Sequence, residues 1–380
     1  MIQPMQKIAI KMLTGDRAKF YGLVFGIVFA TFLMAQQVSI FFGIMDRTAN
    51  QIIDVHEANI WVMDPLVEYV DEVKPLRDID LQRVRSVQGV QWAVPFFKGF
   101  AIMNTPGLSV KQVLLLGVDD ATLIGRPPLM SFGQWEDLKL PDSIIIDRAG
   151  WDLIWGNEPY KYGKVVEIND IRLIVVGVSN SAAPFATFPI AYTRYSIANR
   201  VTMPGRSRMP FILARSATPE QTAQLINKTT GLKALTNVEF QKQTKDYYMH
   251  NTGIPVNFGI TIVLGFIIGA AIAGQTFFIF VLENLRHFGG LKAFGVTNRQ
   301  ILGMVLTQAA YVAFIGFSLG IGLCTLFFDL TSNILPLRGI FLTWPVVLGT
   351  AISVVVIMFL SSVISIRKVL VLDPAIVFRG

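Results

Sequence analysis

Three pairs of adjacent carboxylates are the best candidates in this sequence for an acid–base catalytic site. They are Asp71 with Glu72, Asp119 with Asp120, and Glu136 with Asp137. General acid–base catalysis needs carboxyl groups held in different environments, whereas neighbours in turn-like sequence are typical of a solvated surface. The sequence also lacks the phosphate-binding loop G-x-x-x-x-G-K-[ST], the zinc motif H-E-x-x-H and the nucleophile motif G-x-S-x-G. The residues therefore predict that this chain is not itself an enzyme.

Metal-binding and redox-active residues are equally sparse. His56, His250 and His287 are far apart in sequence, and the chain has one cysteine, Cys324. The charge distribution described below puts His287 on the opposite side of a membrane from the other two, so only a pairing of His56 with His250 stays open as a metal site. Cys324 falls in a long apolar run, which favours a packing role. We expect no metal and no cofactor in this chain.

Four uncharged runs are the elements around which any functional surface must be built. They cover residues 20–45, 256–282, 300–328 and 339–366, and 52% of the chain is hydrophobic against 16% charged. A hydrocarbon core of about 30 Å needs about 20 apolar helical residues, so each run is long enough to span a membrane. None of the runs carries an ionisable Asp, Glu, Lys, Arg or His. Their absence disfavours an ion channel or a secondary transporter.

Basic residues flank these runs unevenly. Residues 1–19, 283–299 and 367–380 carry net charges of +3, +2 and +2, which account for the whole net charge of +7. The region between the first two runs is balanced in charge, and so is the short 329–338 loop. Because Lys and Arg mark the cytoplasmic side of spans, both termini and the 283–299 segment are predicted inside the cell. No basic stripe is interleaved with aromatic residues, so nucleic-acid binding is not expected.

The region from 46 to 255 is predicted outside the membrane as a mixed α/β domain. The helical pattern of the first span continues as a stalk to about residue 58, and helices are predicted at 80–87 and 219–230. Runs rich in β-branched residues and separated by Pro, Gly and Asn-Asp turns predict strands. The predicted strands are 59–63, 90–95, 99–104, 112–118, 143–146, 164–168 and 171–178.

Two pairings of helix and strand indicate how this domain is built. Helix 80–87 precedes strand 90–95, and a strand at 211–215 precedes helix 219–230. We expect these units to form a small α/β sandwich, with residues 105–205 as a second, β-rich lobe. The predicted fold class is an α-helical membrane protein with four transmembrane helices and a large extracytoplasmic mixed α/β domain inserted between helices 1 and 2.

Small residues within the spans predict close helix packing. Three G-x-x-x-G pairs occur, and such pairs let helix backbones approach closely in lipid. The pairs are Gly22 with Gly26, Gly265 with Gly269, and Gly316 with Gly320. They indicate either packing among the spans of one chain or the seam of a homodimer. Residues 1–19 add an amphipathic pattern, which predicts a helix lying on the inner membrane surface.

The charged island between the second and third runs, residues 283–299, predicts a short helix. Its apolar side chains recur every third residue, and we expect them to form one face for a protein partner. Basic and acidic side chains lie beside this face. Glycines in the segment allow close approach of the partner or end the helix. The apolar residues are Leu285, Phe288, Leu291 and Phe294; the charged residues are Glu283, Arg286, His287 and Lys292; the glycines are Gly289 and Gly295.

Three sequence segments resemble the FtsX/MacB-type (type VII) ABC transporter permeases. Residues 274–295, GQTFFIFVLENLRHFGGLKAFG, are similar to the E-x-x-R-E-I-G-x-x-K-A-[LI]-G segment that follows the second span of that family, and most similar to its DevC-like branch. The chain end, DPAIVFRG with Asp373, Pro374 and Arg379, resembles the closing D/E-P-A motif, and KIAIKML (7–13) resembles the N-terminal helix. His287 departs from the pattern, which usually has Glu there.

The resemblance implies a permease subunit of an ABC exporter in a bacterial inner membrane, with its large domain in the periplasm. It implies a homodimer that works with two copies of a separate ATPase subunit. That subunit would bind ATP and Mg, since this chain has no phosphate-binding loop. Residues 283–299 would be the coupling helix that seats in the ATPase. DevC-like members also imply a membrane-fusion adaptor and a TolC-type outer-membrane duct. The cargo would be a hydrophobic or amphipathic molecule such as a lipid or drug.

Two other functions fit the same architecture. A mechanotransmission subunit would use the outer domain to regulate a periplasmic cell-wall hydrolase, and a lipoprotein-release permease would extract lipidated proteins from the membrane. The outer domain is larger than is usual for the hydrolase regulators, which favours export. A ligand-sensing receptor is disfavoured because no signalling domain follows the spans.

Overall fold

The computed structural model of the chain describes residues 4–105, 108–185, 188–202, 209–332 and 334–370. The chain divides into two compact units. Met1–Gly43 and Gly253–Gly380 form the helical unit, and Ile44–Thr252 form the α/β unit.

Twelve α-helices are described. They are α1 Pro4–Gly15, α2 Arg17–Arg47, α3 Asn50–Ile53, α4 Asp78–Arg85, α5 Arg148–Trp155, α6 Tyr195–Thr202, α7 Pro219–Thr230, α8 Asn237–Asn251, α9 Ile254–Glu283, α10 Leu285–Ala293, α11 Asn298–Thr331 and α12 Trp344–Leu370. The ten described strands are β1 Ile60–Met63, β2 Val90–Thr105, β3 Leu108–Val118, β4 Met130–Phe132, β5 Ser143–Asp147, β6 Lys164–Ile168, β7 Ile171–Ser179, β8 Ile190–Arg194, β9 Phe211–Ser216 and β10 Lys233–Thr236. Short 3-10 helices cover Trp135–Lys139 and Leu335–Leu337.

Among the described helices, four are long and apolar enough to cross a membrane. They are α2, α9, α11 and the Trp344–Val363 part of α12, with mean hydropathies of 1.9, 2.2, 2.0 and 2.5. The predictions of four apolar helices and of a large mixed α/β domain are therefore confirmed. The predicted stalk differs, because α2 ends at Arg47 and the short α3 ends at Ile53, so no continuous helix reaches residue 58.

Helix α2 packs against α9 and α11 through glycines on all three helices. A Cβ added at Gly26 would lie 2.7 Å from Ile272 on α9, and one added at Gly320 would lie 2.6 Å from Thr31 on α2. The partners of Gly269 and Gly316 are likewise side chains of α2. Gly22 and Gly265 have more room, with their nearest neighbours at 3.8 and 3.7 Å. The structure thus places the three glycine pairs at contacts within one chain.

Filling one of these contacts is expected to destabilise the helical unit. Gly320→Leu would drive a side chain into Thr31 and the Val28 carbonyl, and overpacking costs about 1–3 kcal/mol. Gly322→Leu, two residues along the same helix, is the matched control, because no atom lies within 4 Å of its added Cβ. Thermal unfolding of the detergent-solubilised chain should show a lower midpoint for Gly320→Leu alone. Equal midpoints for the two variants would contradict this packing.

The α/β unit is organised by one long strand, β2. Its first half pairs with β9 in the order β10-β1-β9-β2, and its second half pairs with β3 in the order β2-β3-β8-β5-β7-β4. Strand β6 pairs with both β2 and β7. Among the pairings of the ten described strands, β3–β8 and β5–β7 are parallel and the others are antiparallel.

The predicted sandwich is present. Apolar residues of α4 and α7, including Val84 and Ile226, form one core with β1, β2 and β9. A second core, which includes Trp151 of α5, lies in the β-rich lobe.

The prediction of two strands at 90–95 and 99–104 was wrong, because β2 runs unbroken from Val90 to Thr105. Pro95 and Gly99 both favour the end of a strand, but both are accommodated within β2. Pro95 pairs with Ile212, and the Phe97 ring lies 3.0 Å from the place that a Gly99 Cβ would occupy. Packing from other parts of the chain thus overrides the local tendency of Pro and Gly to end a strand.

Candidate functional site

The 283–299 segment forms a short helix between two long apolar helices, as its sequence predicts. Helix α9 ends at Glu283, and α10 covers Leu285–Ala293. Gly295 has a φ of +88°, which ends α10 and reverses the chain. Thr297 and Gln300 then form a capping box that starts α11. Local signals therefore mark the end of α10 and the start of α11.

The prediction that α10 has a single apolar face was wrong. Phe288 is fully buried in the core of the helical unit, whereas Phe294 is 90% exposed. Leu285 and Leu291 are only partly buried. Because each helical residue turns by about 100°, a repeat of three drifts by about 60° per step, so residues nine apart lie on opposite sides of the axis. Phe294 also lies one residue beyond the end of α10.

The division of α10 into two sides has a functional consequence. Phe288 anchors the helix to the spans, and Phe294 presents an aromatic ring to the surroundings. Arg286 and His287 are also exposed. The structure thus places an exposed aromatic residue directly after a helix that is anchored in the core of the helical unit.

Lys19 links the beginning of α2 to the end of α9. Its ammonium group forms ion pairs with both Asp16 and Glu283. Hydrogen bonds from Lys19 lower the pKa of Asp16 below its usual range. Sequence reasoning counted these charges for topology but did not pair them, because residues 19 and 283 meet only in the folded chain.

Helix α1 docks on α11. Ala9 and Leu13 are fully buried, and the Gln308 side chain of α11 donates a hydrogen bond of 2.9 Å to the Ala9 carbonyl. Lys7 and Lys11 are exposed on the other side of α1. The amphipathic pattern of residues 1–19 therefore reflects packing against a neighbouring helix as well as any contact with a membrane surface.

In the α/β unit, one loop holds both the first and the last helix of the unit. Asn50 of α3 donates a hydrogen bond of 2.8 Å to the Ala183 carbonyl, and the Asp54 carboxylate accepts one of 3.0 Å from the Ala182 amide. Two residues on, the Phe185 ring packs on Tyr248 of α8 with centroids 4.5 Å apart. We call residues 180–185 the clasp. In sequence α3 follows the span α2 and α8 precedes the span α9, so the clasp joins the two ends of the unit.

A buried ion pair lies beside the clasp. The Lys98 side chain, only 2% exposed, forms an ion pair of 2.6 Å with Asp71 and donates to the Val70 carbonyl at 2.7 Å. Tyr248 donates a hydrogen bond of 2.8 Å to the other oxygen of Asp71. Burial lowers the pKa of Lys98, and Asp71 opposes that effect. A sequence signal existed, because Lys98 continues the alternation of buried positions set by Val94 and Phe96 on β2.

Partial burial of Asp54 raises its pKa to about 6, and the Ala182 amide and His56 partly offset this. This pKa is above the ordinary value of 3.8. The favourable contribution of protonated Asp54 to the free energy of unfolding is therefore complete below pH 4 and is lost as the pH rises through about 6. Asp54→Asn, which keeps an oxygen for Ala182, is expected to stabilise the α/β unit by roughly 1–3 kcal/mol at pH 7.5.

The measurement is tryptophan fluorescence during thermal unfolding, since five of the six tryptophans lie in the α/β unit: Trp61, Trp92, Trp135, Trp151 and Trp155. The stability difference between Asp54→Asn and the natural chain should shrink as the pH falls from 7 to 4. A difference that stays constant over this range would show that Asp54 does not titrate there.

The remaining candidate residues are placed apart from one another. His56 and His250 are both exposed and each faces a nearby backbone oxygen, those of Asp54 and Asp246. Cys324 is buried within α11. In the described part of the chain, no group of three or more His, Cys, Asp or Glu side chains is arranged to hold a metal. The motif residues Asp373, Pro374 and Arg379 lie outside the described residues.

Comparison with known families identifies the architecture. The MacB-like periplasmic core domain matches residues 22–232, more than half of the chain, and the FtsX-like permease C-terminal family matches residues 259–374. The chain belongs to the FtsX/MacB-type ABC transporter permeases. This confirms the family that the 274–295 and C-terminal motifs indicate.

Relatives of this permease carry the same family description. Uncharacterized ABC transporter permeases of Mycobacterium tuberculosis strains CDC 1551 and H37Rv are each 24% identical over 309 residues, 80% of this chain and 80% of theirs. One of Mycobacterium bovis is 35% identical over 121 residues, 32% of this chain and 33% of its own.

Two solved extracytoplasmic domains are also similar to this permease. The periplasmic region of MacB from Actinobacillus actinomycetemcomitans is 14% identical with a TM-score of 0.37, covering 51% of this chain and 96% of its own. The extracellular domain of YknZ from Gram-positive bacteria is 16% identical with a TM-score of 0.35, covering 47% and 98%.

Proposed function

We propose that this permease is the membrane subunit of an ATP-driven exporter and that α10 is its coupling helix. The observation that carries the proposal is the contrast between Phe288, which is fully buried on α10, and Phe294, which is 90% exposed directly after α10 ends. An exposed aromatic residue is a frequent anchor at protein interfaces. Phe288 fixes α10 in the core of the helical unit, so a push on the adjacent Phe294 would be passed to the spans.

The proposed topology follows the distribution of charge. Both termini and the 283–299 segment lie in the cytoplasm, the α/β unit lies in the periplasm, and α2, α9, α11 and α12 span the inner membrane. The neutral 329–338 loop then lies on the periplasmic side. In this arrangement the α/β unit is inserted between the first and second spans.

The proposed energy source is a separate ATPase. Two copies of that subunit bind ATP and Mg and act on a dimer of this permease. Movement of α10 passes through the glycine-packed contacts of α2 with α9 and α11. Because α2 precedes α3 and α8 precedes α9 in the chain, the clasp at residues 180–185 is a suitable place for that movement to enter the α/β unit.

The proposed cargo is a hydrophobic or amphipathic molecule taken from the periplasm or the outer leaflet. The apolar runs of the spans carry no Asp, Glu, Lys, Arg or His, which fits a protein that moves cargo without a polar path through the bilayer. The similarity of residues 274–295 to the DevC-like branch supports a membrane-fusion adaptor and a TolC-type duct as further partners. Regulation of a cell-wall hydrolase and lipoprotein release are the alternatives.

Cross-linking tests the coupling role. Because Cys324 is buried, Phe294→Cys adds a single exposed thiol to the natural chain. We expect it to cross-link to the partner ATPase subunit. Phe314→Cys is the matched control, since Phe314 is 72% exposed on the span α11. Equal cross-linking from both positions, or none from position 294, would remove α10 from this role.

A further inference from the structure

A groove of about 830 Å³ opens where α1, the start of α2 and the junction of α9 with α10 meet. Three basic side chains, Lys11, Arg17 and Lys19, line it together with His287. The carboxylates of Asp16 and Glu283 lie in the same groove. Nothing in the coupling role of Phe294 uses these side chains.

Some of the charged side chains in the groove form ion pairs, and others do not. Lys19 binds both carboxylates, so Asp16 and Glu283 are already held by one cation. Within the described parts of the chain, Lys11 and Arg17 have no ion pair or hydrogen bond through their side chains, and both are exposed. Two unengaged cations in one groove favour an anion with several oxygen acceptors, such as a phosphate group.

The groove also has an apolar wall. Ile8 is 41% exposed, and Met12 lies one helical turn further along α1; both line the groove. A free phosphate or a nucleotide phosphate has no need of such a wall. Cationic and apolar side chains side by side match an amphiphile, whose headgroup is charged and whose chains are apolar.

The position of the groove selects the kind of amphiphile. Arg17 begins α2 and Glu283 ends α9, so the groove lies at the ends of two spans, where headgroups lie once the helices are inserted. Basic pockets between spans on the cytoplasmic side are suited to anionic headgroups.

We propose that this groove binds the phosphate headgroup of an anionic phospholipid. Lys11 and Arg17 donate to the phosphate oxygens, and Ile8 and Met12 contact the lipid next to its glycerol. The bound lipid bridges α1 and α2 at the base of α10. The inference rests on membrane insertion as described under the proposed function, but not on the identity of the cargo or on ATPase coupling.

Native mass spectrometry of the full-length permease in detergent tests this, with phosphatidylglycerol and phosphatidylcholine as probes. Phosphatidylglycerol is expected to bind more tightly. Lys11→Gln with Arg17→Gln should weaken its tightest binding by roughly tenfold or more. Lys11→Arg with Arg17→Lys should restore most of it.

The matched control is Lys7→Gln with Arg299→Gln, which removes the same charge from exposed residues that do not line the groove. It should leave phosphatidylglycerol affinity unchanged. Equal binding of the two lipids, or equal loss in the groove and control variants, would overturn the proposal. So would loss of ATPase binding in the groove variant with unchanged lipid affinity, because the groove would then be a contact for the motor. Cross-linking at position 294 tests the coupling role independently.

Discussion

Phe294→Asp is expected to abolish the stimulation of ATPase activity that the permease gives its motor subunit. The Phe294 ring is 90% exposed and makes no part of the core, so its loss removes a surface anchor and leaves the fold intact. Truncating an aromatic anchor at an interface costs about 2–4 kcal/mol of binding, or roughly 30-fold to 1,000-fold in affinity. The measurement is ATP hydrolysis by the reconstituted complex, with and without the variant.

Phe294→Tyr is the conservative control and should retain most of the stimulation, because an aromatic ring remains. Phe288→Ala is the structural control. It empties a fully buried site and should lower stability by about 3–5 kcal/mol, reducing the yield of folded protein. Normal stimulated hydrolysis by Phe294→Asp would contradict the assigned role of α10.

Lys98→Ala is expected to destabilise the α/β unit by about 3–5 kcal/mol. The substitution leaves Asp71, whose side chain is 17% exposed, without its cation, and it leaves the Val70 carbonyl without its donor. Breaking one half of a buried pair costs more than the pair contributes, because the remaining charge stays desolvated. Thermal or denaturant unfolding followed by tryptophan fluorescence reports this unit.

Two further variants separate the charge effect from loss of packing. Tyr248→Phe removes only one hydrogen bond to Asp71 and should cost about 1 kcal/mol. Lys98→Met with Asp71→Asn removes both charges and should recover much of the stability lost in Lys98→Ala. A double variant no more stable than Lys98→Ala would show that the ion pair is not the cause.

Several elements could be predicted because their signals are local. The four apolar helices need only uninterrupted hydrophobic residues, and α7 needs only its pattern and its terminal glycine, Gly231, which has a φ of +70°. The packing of α4 and α7 against strands could be predicted because each helix is next to its strand in the sequence. The family was recognisable from residues 274–295, where the order of Glu, Arg, Gly and Lys is itself the signal.

Other features depended on contacts between distant residues. The continuity of β2 through Pro95 and Gly99 is set by pairing with β9 and by the Phe97 ring. The apolar face of α10 was mispredicted because a repeat of three residues winds around a helix, and which of its side chains are buried depends on the neighbouring helices. The clasp joins residues 50 and 54 to residues 182 and 183, and no local pattern marks such a contact.

The sequence by itself determined the class of protein, the number of apolar helices and the charged island between the second and third. These are properties of composition and short-range periodicity, which need no knowledge of neighbours in space. Only the tertiary structure decided that Phe288 is an anchor and Phe294 an exposed contact, and that the glycine pairs serve packing within one chain. It also brought Lys19 to Glu283, because burial and ion pairing are set by which segments meet when the chain folds.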